Sequence, residues 1–133
     1  MRVVFDTNVL IAAFLTEGLC PVLLTRARRK EFELFVCPVI LEEFERILSC
    51  KIKAPQNLVR EALEVILEAS KIINPTKKIQ GICRDRDDDR ILSCALSAEA
   101  DYLVSGDKEL LGIGCFERLK IISPREFEAF FED

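Results

Sequence analysis

The chain has 133 residues, of which 50% are hydrophobic and 32% charged, and it carries a formal net charge of −4. This length and composition describe an ordinary globular chain, long enough to bury roughly two thirds of its unfolded surface, and exclude a disordered or fibrous one. There is no histidine, which rules out an imidazole base, a Ser-His-Asp triad and an imidazole-ligated metal, and the negative net charge leaves any polyanion to be met by a local basic patch or a bound cation.

No linker or repeat divides the chain, so a single domain over residues 1–133 is expected. No apolar run reaches the roughly 18 residues of a membrane span and no signal-type start is present, which makes the cytoplasm the expected location, without membrane contact. The six cysteines, Cys20, Cys37, Cys50, Cys83, Cys94 and Cys115, form no C-x-x-C pair and several have apolar neighbours. They read as buried free thiols, with disulfides or a thiolate metal site as alternatives.

In chain order, RVVF (2–5) is β-branched and aromatic and predicts a strand, followed by the capping types Asp-Thr-Asn and an apolar helix. A second helix runs from Cys20 to Lys30 and ends in RARRK, and a short strand (33–37) is stopped by Pro38. Apolar residues at i, i+3, i+4 spacing predict amphipathic helices over 39–49 and 56–72. The polar passage KIQGICRDRDDD leads into a helix over 87–99, then a strand with a glycine-marked turn (YLVSGD, 102–107), a short helix (KELL), a strand over 119–123 and a helix opened by Pro124.

Such alternation predicts an α/β fold in which helices cover both faces of a parallel sheet of four to five strands. Ligands in open sheets of this kind bind beyond the carboxyl ends of the strands. FDTN and VSGD each place an aspartate there. Neither G-x-G-x-x-G nor G-x-x-x-x-G-K-[ST] occurs, which disfavours a nucleotide-binding Rossmann or P-loop protein.

Asp6 and Asp107 could each serve as a helix N-cap, although Thr7 or Asn8 could cap the first helix equally well. Within Asp85, Asp87, Asp88 and Asp89, about 100° of rotation per residue places Asp88 about 35° from the centre of the helix's apolar stripe and Asp89 about 135° away. Asp88 therefore faces the protein and Asp89 faces solvent. In ILEEFERIL, Glu42 lies opposite the apolar stripe while Glu43 and Glu45 flank it, with Glu43 nearer the helix start and the strand ends. Convergence of Asp6, Glu43, Asp88 and Asp107 would crowd four like charges, requiring raised pKa values or divalent cations. All-oxygen ligands suit Mg²⁺ or Mn²⁺, and such a centre could cleave a phosphodiester with metal-activated water.

VVFDTNVL, ILEEFERIL, RDRDDDRILSCAL and ADYLVSGDKELL, in this order and spacing, resemble the PIN domain, and PREF resembles the tail of its small prokaryotic members. The resemblance implies a three-layer α/β/α fold and an Mg²⁺- or Mn²⁺-dependent endoribonuclease, often the toxin of a toxin-antitoxin pair resembling VapC, with RNA as substrate and an antitoxin protein as partner. It implies Asp6, Glu43, Asp88 and Asp107 as catalytic, metal-ligating acids, with Asn8 and Ser105 orienting them. Within the aspartate run, Asp87 or Asp85 remains open as a ligand or supporting group. Arg26, Arg28, Arg29 and Lys30 form either an RNA-backbone patch or a solvated basic helix end. The family often forms homodimers, and LVREALEVILEASKII offers either a dimer surface or a face for the chain's own sheet. A non-catalytic binding module is the main alternative to the enzyme. A phosphoryl-transfer enzyme with Asp6 as nucleophile is disfavoured because no second aspartate stands two residues on.

Overall fold

The opening RVVF forms β1 (Arg2–Phe5), whose last three residues are buried, as a strand enclosed on both faces requires. Two helices, α1 (Thr7–Leu15) and α2 (Leu19–Arg28), carry the chain to β2 (Glu33–Val36). Helix α3 (Pro38–Arg46) continues through a five-residue π-helical turn (Ile47–Lys51) and is followed by α4 (Gln56–Ala69) and β3 (Ser70–Ile72). After α5 (Arg86–Ser97) come β4 (Tyr102–Val104), α6 (Lys108–Ile113), β5 (Cys115–Phe116), β6 (Leu119–Ile122) and α7 (Pro124–Glu128), closed by a 3₁₀ turn (Ala129–Phe131). This computed structural model describes residues 1–132.

The six strands lie in the order β3-β2-β1-β4-β6-β5. All pairings are parallel except that between β5 and β6. The architecture is the expected α/β/α one, but the sheet has six strands where four to five are expected, the short edge strands β3 and β5 being additional to the four read from the chain, and β5 makes it mixed. The predicted helix over 56–72 ends at Ala69, where the Ser70 hydroxyl donates to the Ile66 carbonyl at 2.6 Å. Ser70–Ile72 then pairs in parallel with Leu34–Val36. The exposed edge of β2 offers backbone partners that a helical pattern read locally does not reveal.

Successive strand residues face opposite sides of the sheet. Phe5 meets Phe127 of α7, and Phe127 also packs against Phe32, Tyr102, Phe130 and Phe131, so α2 and α7 cover that face. On the other face Arg2 donates to the Ala98 carbonyl at 2.8 Å and stacks over Phe35, while α5 packs on β1 and β4. The expectation of six buried free thiols needs correction. Cys37 and Cys94 form a disulfide with Cα atoms 6.1 Å apart, joining the start of α3 to α5, and Cys50 and Cys115 are exposed. Their 57-residue separation hides that pairing from sequence spacing. Among the described residues, no single helix is long and apolar enough to cross a membrane.

Phe127 is fully buried whereas Phe130 is 51% exposed, although both belong to one aromatic cluster. Phe127→Ala is expected to cost about 3–5 kcal/mol, a large share of the ~5–15 kcal/mol that holds a domain folded. Phe130→Ala should cost well under half of that, and urea denaturation of the two variants measures the difference.

Candidate active site

From β1 the chain builds outward to β2 and β3 on one side and then returns to β4 on the other side of β1. Strand order therefore reverses between β1 and β4, and the crevice at their carboxyl ends is where an open α/β sheet binds ligands. Asp6 follows β1 and Ser105 follows β4 at this reversal. The register aligns Phe5 with Val104, and the Asp6 amide donates to the Val104 carbonyl at 3.0 Å.

Asp6 is 3% exposed and Ser105 is fully buried. The Ser105 hydroxyl donates to Asp6 Oδ2 at 2.7 Å and accepts from the Asp107 amide at 3.0 Å, so one side chain links two of the acids. Burial pushes the Asp6 carboxyl up, the Ser105 hydroxyl and Thr7 amide draw it back, and the charges of Glu43 and Asp107 push it up again. Asp6 occupies the N-cap position of α1 without capping it. The alternative assignment of that cap to Thr7 or Asn8 needs correction as well: Thr7 Oγ1 is buried with no hydrogen-bond partner among the described residues, and Asn8 is exposed. Both lie inside the first turn, where their side chains do not reach the free amides.

Asp107 caps α6, its Oδ2 accepting from the Leu110 amide at 3.1 Å. Asp88, in the first turn of α5, is half-buried and raised to about 7, chiefly by burial and then by the charges of Asp107, Asp6, Asp85 and Glu109. Glu43 is half-buried on α3, whereas Glu42 and Glu45 are exposed. Asp6, Glu43, Asp88 and Asp107 thus share one electrostatic neighbourhood. None of the four makes an ion pair among the described residues.

The remaining aspartates separate clearly. Asp85 caps α5 by accepting from the Asp87 amide at 2.9 Å, and Asp87 faces Arg90 at 4.0 Å. Asp89 is not solvated as the helical rotation suggests. It is 4% exposed and accepts from the Gly81 and Cys83 amides at 3.0 and 2.8 Å. The side of α5 opposite its apolar stripe is covered by the preceding segment, which a helical wheel does not contain.

The basic run divides too. Arg26 makes a two-pronged ion pair with Glu128 at 2.7 and 2.8 Å, meets Glu31 at 2.9 Å and lies over Phe131. Its guanidinium holds Glu128 below the usual carboxylate range. Lys30 donates to the Glu68 carbonyl at 3.2 Å. Arg28 and Arg29 border a hollow with Thr25 and Glu68. The run immediately precedes β2 and so lies at the amino ends of the strands, opposite the acids. As a patch lining the acid site, RARRK is excluded by this geometry.

The PIN domain family model matches residues 2–109, which contain all four acids and most of the sheet. The chain belongs to the PIN-domain family. Members of this family are generally nucleases. The PIN domain is also similar in structure to a chain in the crystal structure of VapBC2 from Rickettsia felis bound to a DNA fragment from their promoter, with a TM-score of 0.68 at 17% identity, covering 92% of this chain and 98% of that one. That likeness shows the fold. No curated protein matches the chain.

The donor chemistry of this PIN domain fits a hard divalent cation: the four acids offer only oxygen and none is paired with a cationic side chain among the described residues. Among the described residues, no three acidic or cysteine side chains close into a metal-holding group. Coordination through one or two carboxylates plus water, usual for Mg²⁺, does not require such closure.

A carboxyl raised in the folded state binds its proton more tightly there, so stability rises as pH falls through that raised pKa. For Asp88 the gain begins near pH 7 and is complete below the ordinary value of 3.8. In EDTA, the PIN domain should therefore melt higher at pH 5.5 than at pH 8. Asp88→Asn should raise the pH 8 melting temperature by about 2–5 °C and flatten the profile, the shift being modest because Asp88 is partly solvated. Thermal melts across this pH range decide it.

Proposed function

We propose that this PIN domain is a divalent-metal-dependent endoribonuclease that hydrolyses RNA phosphodiester bonds at the carboxyl edge of its sheet. The observation that carries the reading is that Asp6 and Asp107 follow strands at the strand-order reversal and that Asp6 feels the charges of Glu43 and Asp107 while Asp88 feels those of Asp6 and Asp107, with no cationic side chain paired to any of the four among the described residues. Asp6, Glu43, Asp88 and Asp107 would hold Mg²⁺ or Mn²⁺. When bound, that ion supplies Lewis-acid polarisation of a phosphoryl oxygen and acidification of water.

The chain's own residues supply position. Ser105 fixes Asp6 Oδ2 and, through the Asp107 amide, the start of α6, so the two strand-end acids keep a constant separation. Asp88 enters from the first turn of α5, and its carboxyl, raised to about 7 in the metal-free protein by burial and the neighbouring acids, gains the charge compensation it lacks when a divalent cation binds. Glu43 adds negative charge from α3. Asn8, exposed in the first turn of α1 two residues after Asp6, is assigned the role of orienting the acids when the site is loaded. Asp87, turned toward Arg90, is assigned a supporting role at the α5 start. With no histidine in the chain, hydrolysis by water in line with the leaving oxygen is the chemistry these side chains serve.

The fold shared with a chain of the VapBC2 structure supports a toxin role for this protein, with a small antitoxin protein as partner; a homodimer is the working form that membership of the PIN-domain family suggests. Co-expression with the product of a neighbouring gene would test that role.

Purified protein should cleave single-stranded RNA with Mg²⁺ or Mn²⁺ and not in EDTA. Asp6→Asn, Asp88→Asn and Asp107→Asn should each lower the rate by at least ~10²-fold with an unchanged far-UV dichroism spectrum, and Ser105→Ala by about 10–100-fold. Undiminished cleavage in EDTA, or full activity in both Asp6→Asn and Asp88→Asn, would overturn the mechanism. RNA binding without turnover under all divalent ions would instead identify a silent binding module.

A further inference from the structure

The polar segment before α5 is fastened along one side of that helix. Asp89, Ser93 and Ser97 stand at i, i+4 and i+8, a spacing that stacks side chains on one helix face. Asp89 accepts from the Gly81 and Cys83 amides, Ser93 donates to the Lys77 carbonyl, and Ser97 accepts from the Thr76 and Lys77 amides at 3.0 and 3.1 Å. The segment's backbone is thereby held against α5. Its long cationic side chains are left outside.

Lys78, Arg84 and Arg86 are exposed and, with Arg90 of α5, line a groove of about 760 Å³. The one carboxylate lining it, Asp89, already has both oxygens engaged by backbone amides. Four cations therefore line a groove whose one carboxylate is already engaged, in a protein whose net charge is −4; Arg90 also meets Asp87 at 4.0 Å, while Lys78, Arg84 and Arg86 make no ion pair among the described residues. No aromatic side chain lines it. A groove with cations and no stacking surface suits phosphates and offers nothing to bases.

The groove lies on the acid side of the molecule: Arg84, which lines it, donates its amide at 2.5 Å to Glu109, two residues after Asp107, and Arg86 stands two residues before Asp88 at the start of α5. Cys83, which lines the groove, has its thiol pushed up to about 12 by burial, Asp89, Asp88 and Glu109 in that order. The arrangement sets a basic strip within reach of the acids' charges, as a strand crossing a hydrolytic site would need on one side of its scissile phosphate.

We infer that the groove lined by Lys78, Arg84, Arg86 and Arg90 binds the sugar–phosphate backbone of single-stranded RNA, without regard to sequence, and leads it across the acid cluster. The inference rests on the ribonuclease reading. It assigns substrate contact to the segment preceding α5, and it leaves RARRK, at the opposite end of the sheet, without that role.

The test is the triple variant Lys78→Ala/Arg84→Ala/Arg86→Ala, whose three side chains are exposed and whose folding a thermal melt confirms. Fluorescence anisotropy in EDTA with labelled oligo(U) and oligo(A) reads binding apart from cleavage. The variant should bind both RNAs at least ~10-fold more weakly, and the slope of log K against log [KCl] should become shallower by about 2, the value for three phosphate contacts on a single strand. With Mg²⁺ or Mn²⁺, KM should rise far more than kcat falls. Unchanged affinity and slope in the triple variant, while the wild type binds and cleaves, would overturn the groove and leave the ribonuclease standing. An equal loss in Arg28→Ala/Arg29→Ala would overturn it in favour of the opposite edge. A wild-type protein that neither binds nor cleaves RNA would overturn both readings.

Discussion

The 2.7 Å hydrogen bond from Ser105 Oγ to Asp6 Oδ2 joins the carboxyl ends of β1 and β4 where the sheet changes direction. A buried carboxylate is costly unless something compensates it. Here the compensation is one hydroxyl, a nearby amide and the amino end of α1, whose partial positive charge favours an anion. It is incomplete, because the Asp6 carboxyl remains raised. The first turns of α5 and α6 bring Asp88 and Asp107 to the same place, each favoured locally by its own helix end but opposed by the others. Every acid is thus in a locally acceptable position and a collectively unfavourable one. Burial raises Asp88 most and the charges of Asp107, Asp6, Asp85 and Glu109 add to it, bringing it to about 7.

What holds such a cluster together must lie elsewhere. The Phe5, Phe32, Tyr102, Phe127, Phe130 and Phe131 cluster clamps α7 to the sheet on one face. Its ring contacts and area burial are independent of pH and cation. Arg26 adds to that clamp by pairing with Glu128 and covering Phe131. The run RARRK is therefore split: Arg26 belongs to the fold, whereas Arg28, Arg29 and Lys30 are exposed and make no ion pair among the described residues, Lys30 donating instead to the Glu68 carbonyl.

The sequence discloses the features whose causes are local. Strand, turn and helix follow one another within a dozen residues at FDTN and again at VSGD, so the positions of Asp6 and Asp107 at strand ends are readable from the chain, as are the α/β/α class and the family. The features missed depend on residues far away. Arg26 meets Glu128 at a separation of 102 residues, Cys37 meets Cys94 at 57, and β3 exists because β2 presents an open edge. Asp89 is the most instructive case. Its angle from the apolar stripe follows from the helical geometry of α5, but that angle does not reveal which segment folds over the opposite side. The pattern Asp89, Ser93, Ser97 at spacing four was a signal available in the sequence, since three short polar residues on one helix face can fasten a backbone.

Helix α5 consequently has three working sides. Ile91, Leu92, Cys94 and Ala95 are buried where it packs on β1 and β4; Asp88 looks toward the acids; and Asp89, Ser93 and Ser97 hold the segment that carries Lys78 and Arg84. The Cys37–Cys94 link also ties this helix to the start of α3, which bears Glu43. A rotation of α5 large enough to move Asp88 from its neighbours would therefore also disturb the core, the fastened segment and the link to α3. The spacing between the acids and the basic strip is set by one rigid element packed on the sheet, not by a loop free to adjust. Such an arrangement keeps opposite charges close without letting them neutralise each other: the arginine heads stay in solvent along the groove, and the carboxylates stay at the sheet edge.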